Sequence, residues 1–216
     1  HHTTHHKPMV HGIIKRSANP ERKIQKQPYA YFNSTSGKTL VERGLRRLSN
    51  FWRLDRPLKL WGLRWRTSEH AYQAYAKVHR DDWPRLAVGG DLDDLDKLAA
   101  FYRDEGTARK KINHWNENGK GVFPMAGIVA KMAVNPAHNR KLSPPLRLLN
   151  EDAQQRRVGH ARAVSQEDLW GQILSAKAAA SAEYAATLKE TGTLYLVEFD
   201  RGAKRRSLAG NPPFWT

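Results

Sequence analysis

The sequence predicts a mostly helical α+β fold with a few short strands. Two observations lead there. Several long stretches open on a hydroxyl or acidic residue and then run without Gly or Pro, as capped helices do. A few shorter segments are aromatic-rich or alternate apolar with polar residues, as half-buried strands do. At 216 residues the chain can form one domain with elaborations and bury a substantial core.

Taken in order, His1-His2-Thr3-Thr4-His5-His6 reads as a metal-binding tract, an expression tag or a disordered end, and it is set aside from the fold. Residues 7–28 are basic and polar with Pro at both ends, which predicts an arm without a core of its own. Residues 29–216 are expected to form a single domain. Tyr29-Ala30-Tyr31-Phe32 reads as a short strand running into the hydroxyl-rich loop Asn33 to Lys38. That loop can offer N–H groups and hydroxyls to a phosphate, although it lacks the spacing of a P-loop. Val41 to Arg47 reads as a basic connector.

Leu58 to Trp65 alternates as one half-buried strand would. A helix follows at about 67–79. Asp81 to Asp96 is acidic and Gly-punctuated, which suggests a surface excursion. Helices are expected near 92–112 and 121–134, the second with Val122, Met125, Ile128, Val129 and Met132 as core positions. Residues 137–162, with Pro144-Pro145 and scattered Arg, are expected to be irregular. Ser165-Gln166-Glu167-Asp168 begins another helix, a hydroxyl followed three residues later by an acid, and Gly192 ends it. Thr193 to Phe199 alternates as a strand. No internal repeat is present.

Charge is the dominant compositional feature. Lys and Arg number 37 against 21 acids, a formal net charge of +16. Such an excess points to a polyanionic partner, nucleic acid first and a phosphate-rich nucleotide second. The chain has no Cys, which excludes disulfides, zinc–thiolate sites and a cysteine nucleophile, and suits a reducing cytoplasm. No apolar run approaches the roughly 18 residues of a membrane span, and no signal peptide is visible.

The stretch richest in chemistry is Trp65-Arg66-Thr67-Ser68-Glu69-His70-Ala71-Tyr72-Gln73-Ala74. Thr67 or Ser68 can cap the helix, placing Glu69 in its first turn, where the helix dipole favours the ionised carboxylate by roughly 0.3–1 kcal/mol. Gln73 falls one turn on along the same face, with Tyr72 beside it and Lys77 a further turn away. Two readings stand: a fixed carboxylate at the floor of a pocket, or an ordinary capping glutamate. His70, His79, His114, His138 and His160 show no paired ligand spacing, so no metal site is expected, and no nucleophile elbow or dinucleotide fingerprint is found.

Tyr31-Phe32-Asn33-Ser34-Thr35, then Leu48-Ser49-Asn50-Phe51, then the Ser68-Glu69-His70 block resemble the three ordered N-terminal motifs of the NADAR (YbiA-like) family. Met125 to Pro136 resembles its Met/Lys-containing helix ending in Asn-Pro. Thr191-Gly192, Leu196-Val197-Glu198 and Phe214-Trp215 resemble its late motif. The resemblance covers about residues 29–215 with insertions. It implies a mostly helical α+β fold that hydrolyses N-glycosidic bonds and needs no cofactor. The family's substrate classes are ADP-ribose attached to guanine in nucleic acid, and phosphoribosyl-type intermediates of riboflavin biosynthesis.

Carried over by position, the resemblance makes Glu69 the central acid. Ser49, Asn50 and Phe51 would line the ribose and phosphate side, and Tyr72 and Gln73 extend the wall. Trp115 is the candidate match to an internal family tryptophan and Trp215 matches the late one, with Ser34, Thr35 and Trp65 as further substrate-binding candidates. Members acting on ADP-ribosylated guanine are thought to use a lysine that attacks the anomeric carbon and forms a Schiff base; Lys38 is the matching candidate here and Lys77 the reserve. The family usually continues with a Gly-rich segment and a Gly-Lys-Asn-x-Leu-Gly helix, whereas this sequence stops at Thr216, so a shortened C-terminus is one expectation. The acid that often precedes the late Trp has no clear counterpart.

The leading expectation is therefore an ADP-ribosyl glycohydrolase acting on guanine-linked ADP-ribose in DNA, an antidote to a partner ADP-ribosyltransferase toxin. The alternatives are an N-glycosidase of riboflavin-pathway intermediates and a non-catalytic module for ADP-ribose or nucleic acid. The +16 charge favours the DNA substrate over a small metabolite.

Overall fold

In this computed structural model of the chain, the described residues are 14–15, 29–32, 46–102, 104–117, 125–159, 164–192 and 195–198. In chain order the first elements are β1 (Ile14–Lys15), β2 (Tyr29–Phe32), β3 (Leu58–Leu60), β4 (Leu63–Trp65), α1 (Ser68–Lys77), α2 (Trp83–Leu86) and α3 (Glu105–Glu117). Then come α4 (Gly127–Ala133), α5 (Pro136–Asn139), α6 (Glu151–Arg157), α7 (Gln166–Ala180), α8 (Ala182–Thr191) and β5 (Tyr195–Glu198). Helix predominates and strands are short, as the sequence predicts.

The chain divides into two compact units: residues 1–49 with 183–216, and residues 50–182. In the first unit β2 lies between β1 and β5, antiparallel to β1 and parallel to β5, with Tyr29 opposite Tyr195 and Phe32 opposite Glu198. The strands read from the sequence at 29–32 and 193–199 are thus partners in one sheet. Parallel neighbours need a long crossover, and here the second unit lies between them in the chain. A 3-10 turn at Arg46–Leu48 precedes the crossing, and Arg47 meets Glu183 at 3.2 Å. Along α8, Tyr184, Thr187 and Thr191 form the buried stripe. Burial pushes the Tyr184 phenol up to about 12.

The second unit is organised around α1, which packs against α4, α7, α2 and α6. Its apolar side is narrow: Ala71 and Ala74 are fully buried, small enough to let neighbouring helices close in. Thr67 is the cap, in extended conformation with its hydroxyl accepting from His70 N at 3.2 Å. At the other end, Arg157 of α6 donates to the carbonyls of Tyr75 at 2.9 Å and Val78 at 2.8 Å, satisfying acceptors the helix leaves open.

Leu58 to Trp65 is not one strand but a hairpin, β3 and β4 joined by Trp61-Gly62. Both turn residues have positive φ, 54° and 79°, as a two-residue primed turn requires. For a tryptophan this backbone costs on the order of 1–2 kcal/mol. Its ring offsets that by packing at 4.7 Å on Tyr75 and 5.7 Å on Trp83, each such pair being worth about 0.5–1.5 kcal/mol.

Three further expectations are corrected. The acidic stretch 81–96 is not a surface excursion, because Leu86, Leu92 and Leu95 are core residues and five of its six carboxylates are tied to arginines. Arg147 holds Asp81 and Asp82, Arg85 holds Asp91, and Arg66 spans Asp93 and Asp94. Residues 137–162 are not irregular throughout: Asn150 caps α6 by accepting from Ala153 N at 2.8 Å, with acids in the first turn and arginines in the last. The helix expected from Ser165 does start there, Ser165 Oγ accepting from Asp168 N, but Ser181 divides it into α7 and α8.

His70 is fully buried beneath the start of α1. Its Nε2 donates to the Leu92 carbonyl at 3.1 Å, so Nδ1 is left to accept from the Thr67 hydroxyl at 2.8 Å. Burial lowers its pKa to about 4, although the Leu92 carbonyl and the Asp93 charge oppose the shift. The unfolded chain, with an ordinary imidazole near 6.5, therefore binds a proton that the native state refuses between those values. This stabilising contribution is complete above pH 6.5 and declines as pH falls toward 4. We expect it to reach about 3 kcal/mol. Denaturant unfolding across that range should show the decline in the wild type and not in His70→Gln; parallel profiles would refute it.

Candidate active site

The site begins with a backbone strap. Asn50 and Phe51 lead into the second unit, and their carbonyls bind two helix starts: Asn50 O accepts from Glu69 N at 3.0 Å, and Phe51 O from Gly127 N at 3.1 Å. The N-terminal turns of α1 and α4 are thereby held to the same two residues. Orphan N–H groups at a helix start need acceptors, and here the chain itself supplies them.

Gly127 permits the closeness of this arrangement. A Cβ at that position would stand 2.6 Å from Phe51 Cα and 3.0 Å from Glu69 Cβ. Both distances are inside van der Waals contact, so glycine is required by space rather than by its backbone angles. One helical turn on, Lys131 emerges on the same side of α4, its Nζ 5.2 Å from the Phe51 ring centroid.

Glu69 is buried, 7% exposed, in the first turn of α1. Gln73, one turn later, donates from Nε2 to Glu69 Oε1 at 2.7 Å. Burial pushes the Glu69 carboxyl above its ordinary value, while the Gln73 hydrogen bond and the charges of Lys131 and Lys77 pull it back. Desolvation wins, so the charged form of this carboxyl costs more here than it would in water. Perturbation of this kind, with named charge partners, characterises functional sites.

Two polar atoms beside it are buried without a hydrogen-bond partner: Gln73 Oε1 and Ser68 Oγ. Buried polar groups are satisfied in the large majority of cases. Gln73 uses its amide N–H on the carboxylate, and its oxygen remains an acceptor for a hydroxyl, an amine or water. On the Tyr72 side, the ring stacks on Trp170 at 4.6 Å and 15°, and the phenol oxygen accepts from Gln166 Nε2 at 3.2 Å. Burial raises the Tyr72 pKa, and the negative charge of Glu69 raises it further. The phenol thus senses the carboxylate and stays a neutral O–H.

The structure brings together Asn50, Phe51, Glu69, Tyr72 and Gln73, five of the sequence-derived candidates, and Lys77 acts on the same carboxylate. Trp65 serves the core instead. That side chain is fully buried in the core, edge-on to Trp61 and Trp83, with its indole N–H on the Leu60 carbonyl. Ser49 is also fully buried and belongs to the first unit. Ser34, Thr35, Lys38 and Trp215 lie outside the described residues, as does the side chain of Trp115 on α3.

Sequence reasoning missed Lys131, Gly127, Gln166 and Trp170. Lys131 was within sight, in the helix read for its apolar spacing, but nothing local says that this helix starts against Glu69. Chemically, the group offers a desolvated carboxylate, an open amide acceptor, a neutral phenol and two ammonium groups. It can stabilise a developing cation, orient a polar ligand and supply an amine nucleophile. Among the described residues no cluster of three or more His, Asp or Glu is placed to hold a metal, and no helix is long and apolar enough to cross a membrane. No family model matches the chain, and neither a curated protein nor a solved structure matches it.

Proposed function

We propose that the protein is an N-glycosidase that hydrolyses a ribosyl–nitrogen bond, with ADP-ribose on guanine in DNA as substrate and reversal of a toxin's modification as its role. The observation that carries this reading is the buried Glu69 carboxylate, set beside the open Gln73 acceptor and under the influence of two lysines. Cleaving such a bond builds positive charge at the anomeric carbon, and a desolvated carboxylate stabilises it far more than an exposed one could. Gln73 Oε1 suits a ribose hydroxyl or an amine of the leaving base. The +16 charge supports a nucleic-acid substrate over a small metabolite. The NADAR-like motifs around Ser49-Asn50-Phe51 and Ser68-Glu69-His70 support the same chemistry.

In this scheme a lysine amine attacks the anomeric carbon as the carbon–nitrogen bond to guanine breaks. The proton lost by the amine passes to the departing base, the ribose opens to an imine, and water then releases ADP-ribose and restores the amine. Lys38 is the lysine the resemblance suggests. Lys131 is the one whose charge and position beside Phe51 and Glu69 support the role.

The test is incubation with an oligonucleotide carrying ADP-ribose on guanine, followed by borohydride trapping and peptide mapping. Release of ADP-ribose with a reduced adduct on Lys131, lost in Lys131→Arg, is expected. An adduct on Lys38 or Lys77 would keep the glycosidase and move the nucleophile. No release under any condition would sink the DNA substrate and leave the metabolite enzyme or the binding module.

A further inference from the structure

The outward face of the β3–β4 hairpin carries an arrangement that folding does not favour. Lys59 and Arg64 are direct cross-strand partners, both exposed, while their neighbours Leu58 and Trp65 are buried on the opposite face. Like charges placed directly opposite each other destabilise a strand pair, whereas a Lys–Glu pair would keep the same solubility and add support. Arg56, just before β3, is exposed as well.

Acids among the described residues do not answer these cations: Asp55, beside Arg56 in the chain, forms no ion pair with them. Asp93 and Asp94 are engaged by Arg66 and Arg53, and Asp91 by Arg85. Among the described residues, Arg56, Lys59 and Arg64 take part in no ion pair. The local charge is therefore left for something outside the chain.

We propose that this hairpin face is a docking surface for the phosphate backbone of a nucleic acid. Lys59 and Arg64, one on each strand, would take successive phosphates, with Arg56 extending the contact. A two-stranded ribbon is narrow enough to lie along a duplex groove or a single strand, and phosphate contacts of this kind position a protein without reading sequence. The rest of the surface chemistry agrees, the chain being +16 overall. A lipid surface is a poorer match, since the outward pair is two cations and the half-buried Leu60, Trp61 and Leu63 pack against the core.

This inference does not rest on the chemistry at Glu69, because the ligand is nucleic acid without ADP-ribose. The experiment is fluorescence anisotropy of a labelled, unmodified DNA, single- and double-stranded, titrated with the full chain at several salt concentrations. Lys59→Gln/Arg64→Gln is compared with Lys110→Gln/Lys111→Gln, a pair exposed on α3 that removes the same charge. The hairpin variant should bind about tenfold or more weakly, with its salt slope reduced by about 2, roughly one per lost phosphate contact. The control pair should change affinity much less. The hairpin variant should melt no lower than wild type, since it loses a repulsion, so weaker binding cannot be ascribed to unfolding. Equal losses in both variants, or no loss in either, would overturn the proposal. So would hairpin-dependent binding to phosphatidylserine vesicles with DNA affinity unchanged.

Discussion

Glu69→Gln is expected to lower turnover of guanine-linked ADP-ribose by about 10³-fold while leaving the protein at least as stable as wild type at neutral pH. The substitution is isosteric, and the Gln73 N–H can still donate to the new amide oxygen. What would disappear, on the proposed mechanism, is the negative charge that balances the developing oxocarbenium ion, and removing one such buried electrostatic partner typically costs 10²–10³ in kcat. The stability half follows from the raised carboxyl. Since native Glu69 titrates above the unfolded value of 4.5, the native state binds more protons across that window and stability falls as pH rises through it. Above it the folded protein carries a charge it would hold more easily unfolded, and the amide removes that penalty. Kinetics and denaturant unfolding on the same preparation check both halves. Full turnover by the variant would end the mechanism, and a variant both inactive and markedly unstable would make Glu69 a structural residue.

How much of this was legible in the sequence depends on how local each feature is. Thr67, Glu69 and Gln73 declare themselves because a cap and an i, i+4 pair are settled within two turns of one helix. The hairpin did not. Its period-2 alternation runs straight through Trp61-Gly62, and a tryptophan at positive φ gives no turn signal; only the packing on Tyr75 and Trp83 makes it tolerable. The acidic stretch 81–96 misled for a related reason. Its leucines are spaced irregularly, and four of its six carboxylates are matched by Arg66 and Arg147, neither of which lies within it. Helix α6 could have been read from Asn150 with its flanking charges, had the prolines before it not argued for a loop. Lys131 belongs to the last category, illegible because its importance arises from where α4 starts, and that is decided by Gly127 against Phe51.

Gly127→Ala should therefore be the most informative change outside the charged groups. By helix propensity alone it would stabilise, by up to about 1 kcal/mol near a helix start. Against that stands a methyl group that would sit 2.6 Å from the Phe51 Cα, a backbone atom held in place by its own carbonyl's bond to Gly127 N. Overpacking of this kind costs about 1–3 kcal/mol, so the net effect should be destabilising. The backbone cannot swing aside as a flexible side chain would; either α4 retreats or the Asn50-Phe51 strap moves. Both displace Lys131 and the Phe51 ring relative to Glu69, and a misplacement near 1 Å can cost about 10²-fold in rate. The expected signature is a lower unfolding midpoint together with reduced kcat, in contrast to Glu69→Gln, where activity falls and stability does not. Should the alanine variant be more stable than wild type and equally active, the close approach of α4 to the strap would not be what positions the lysine, and the site's geometry would have to rest on α1 alone.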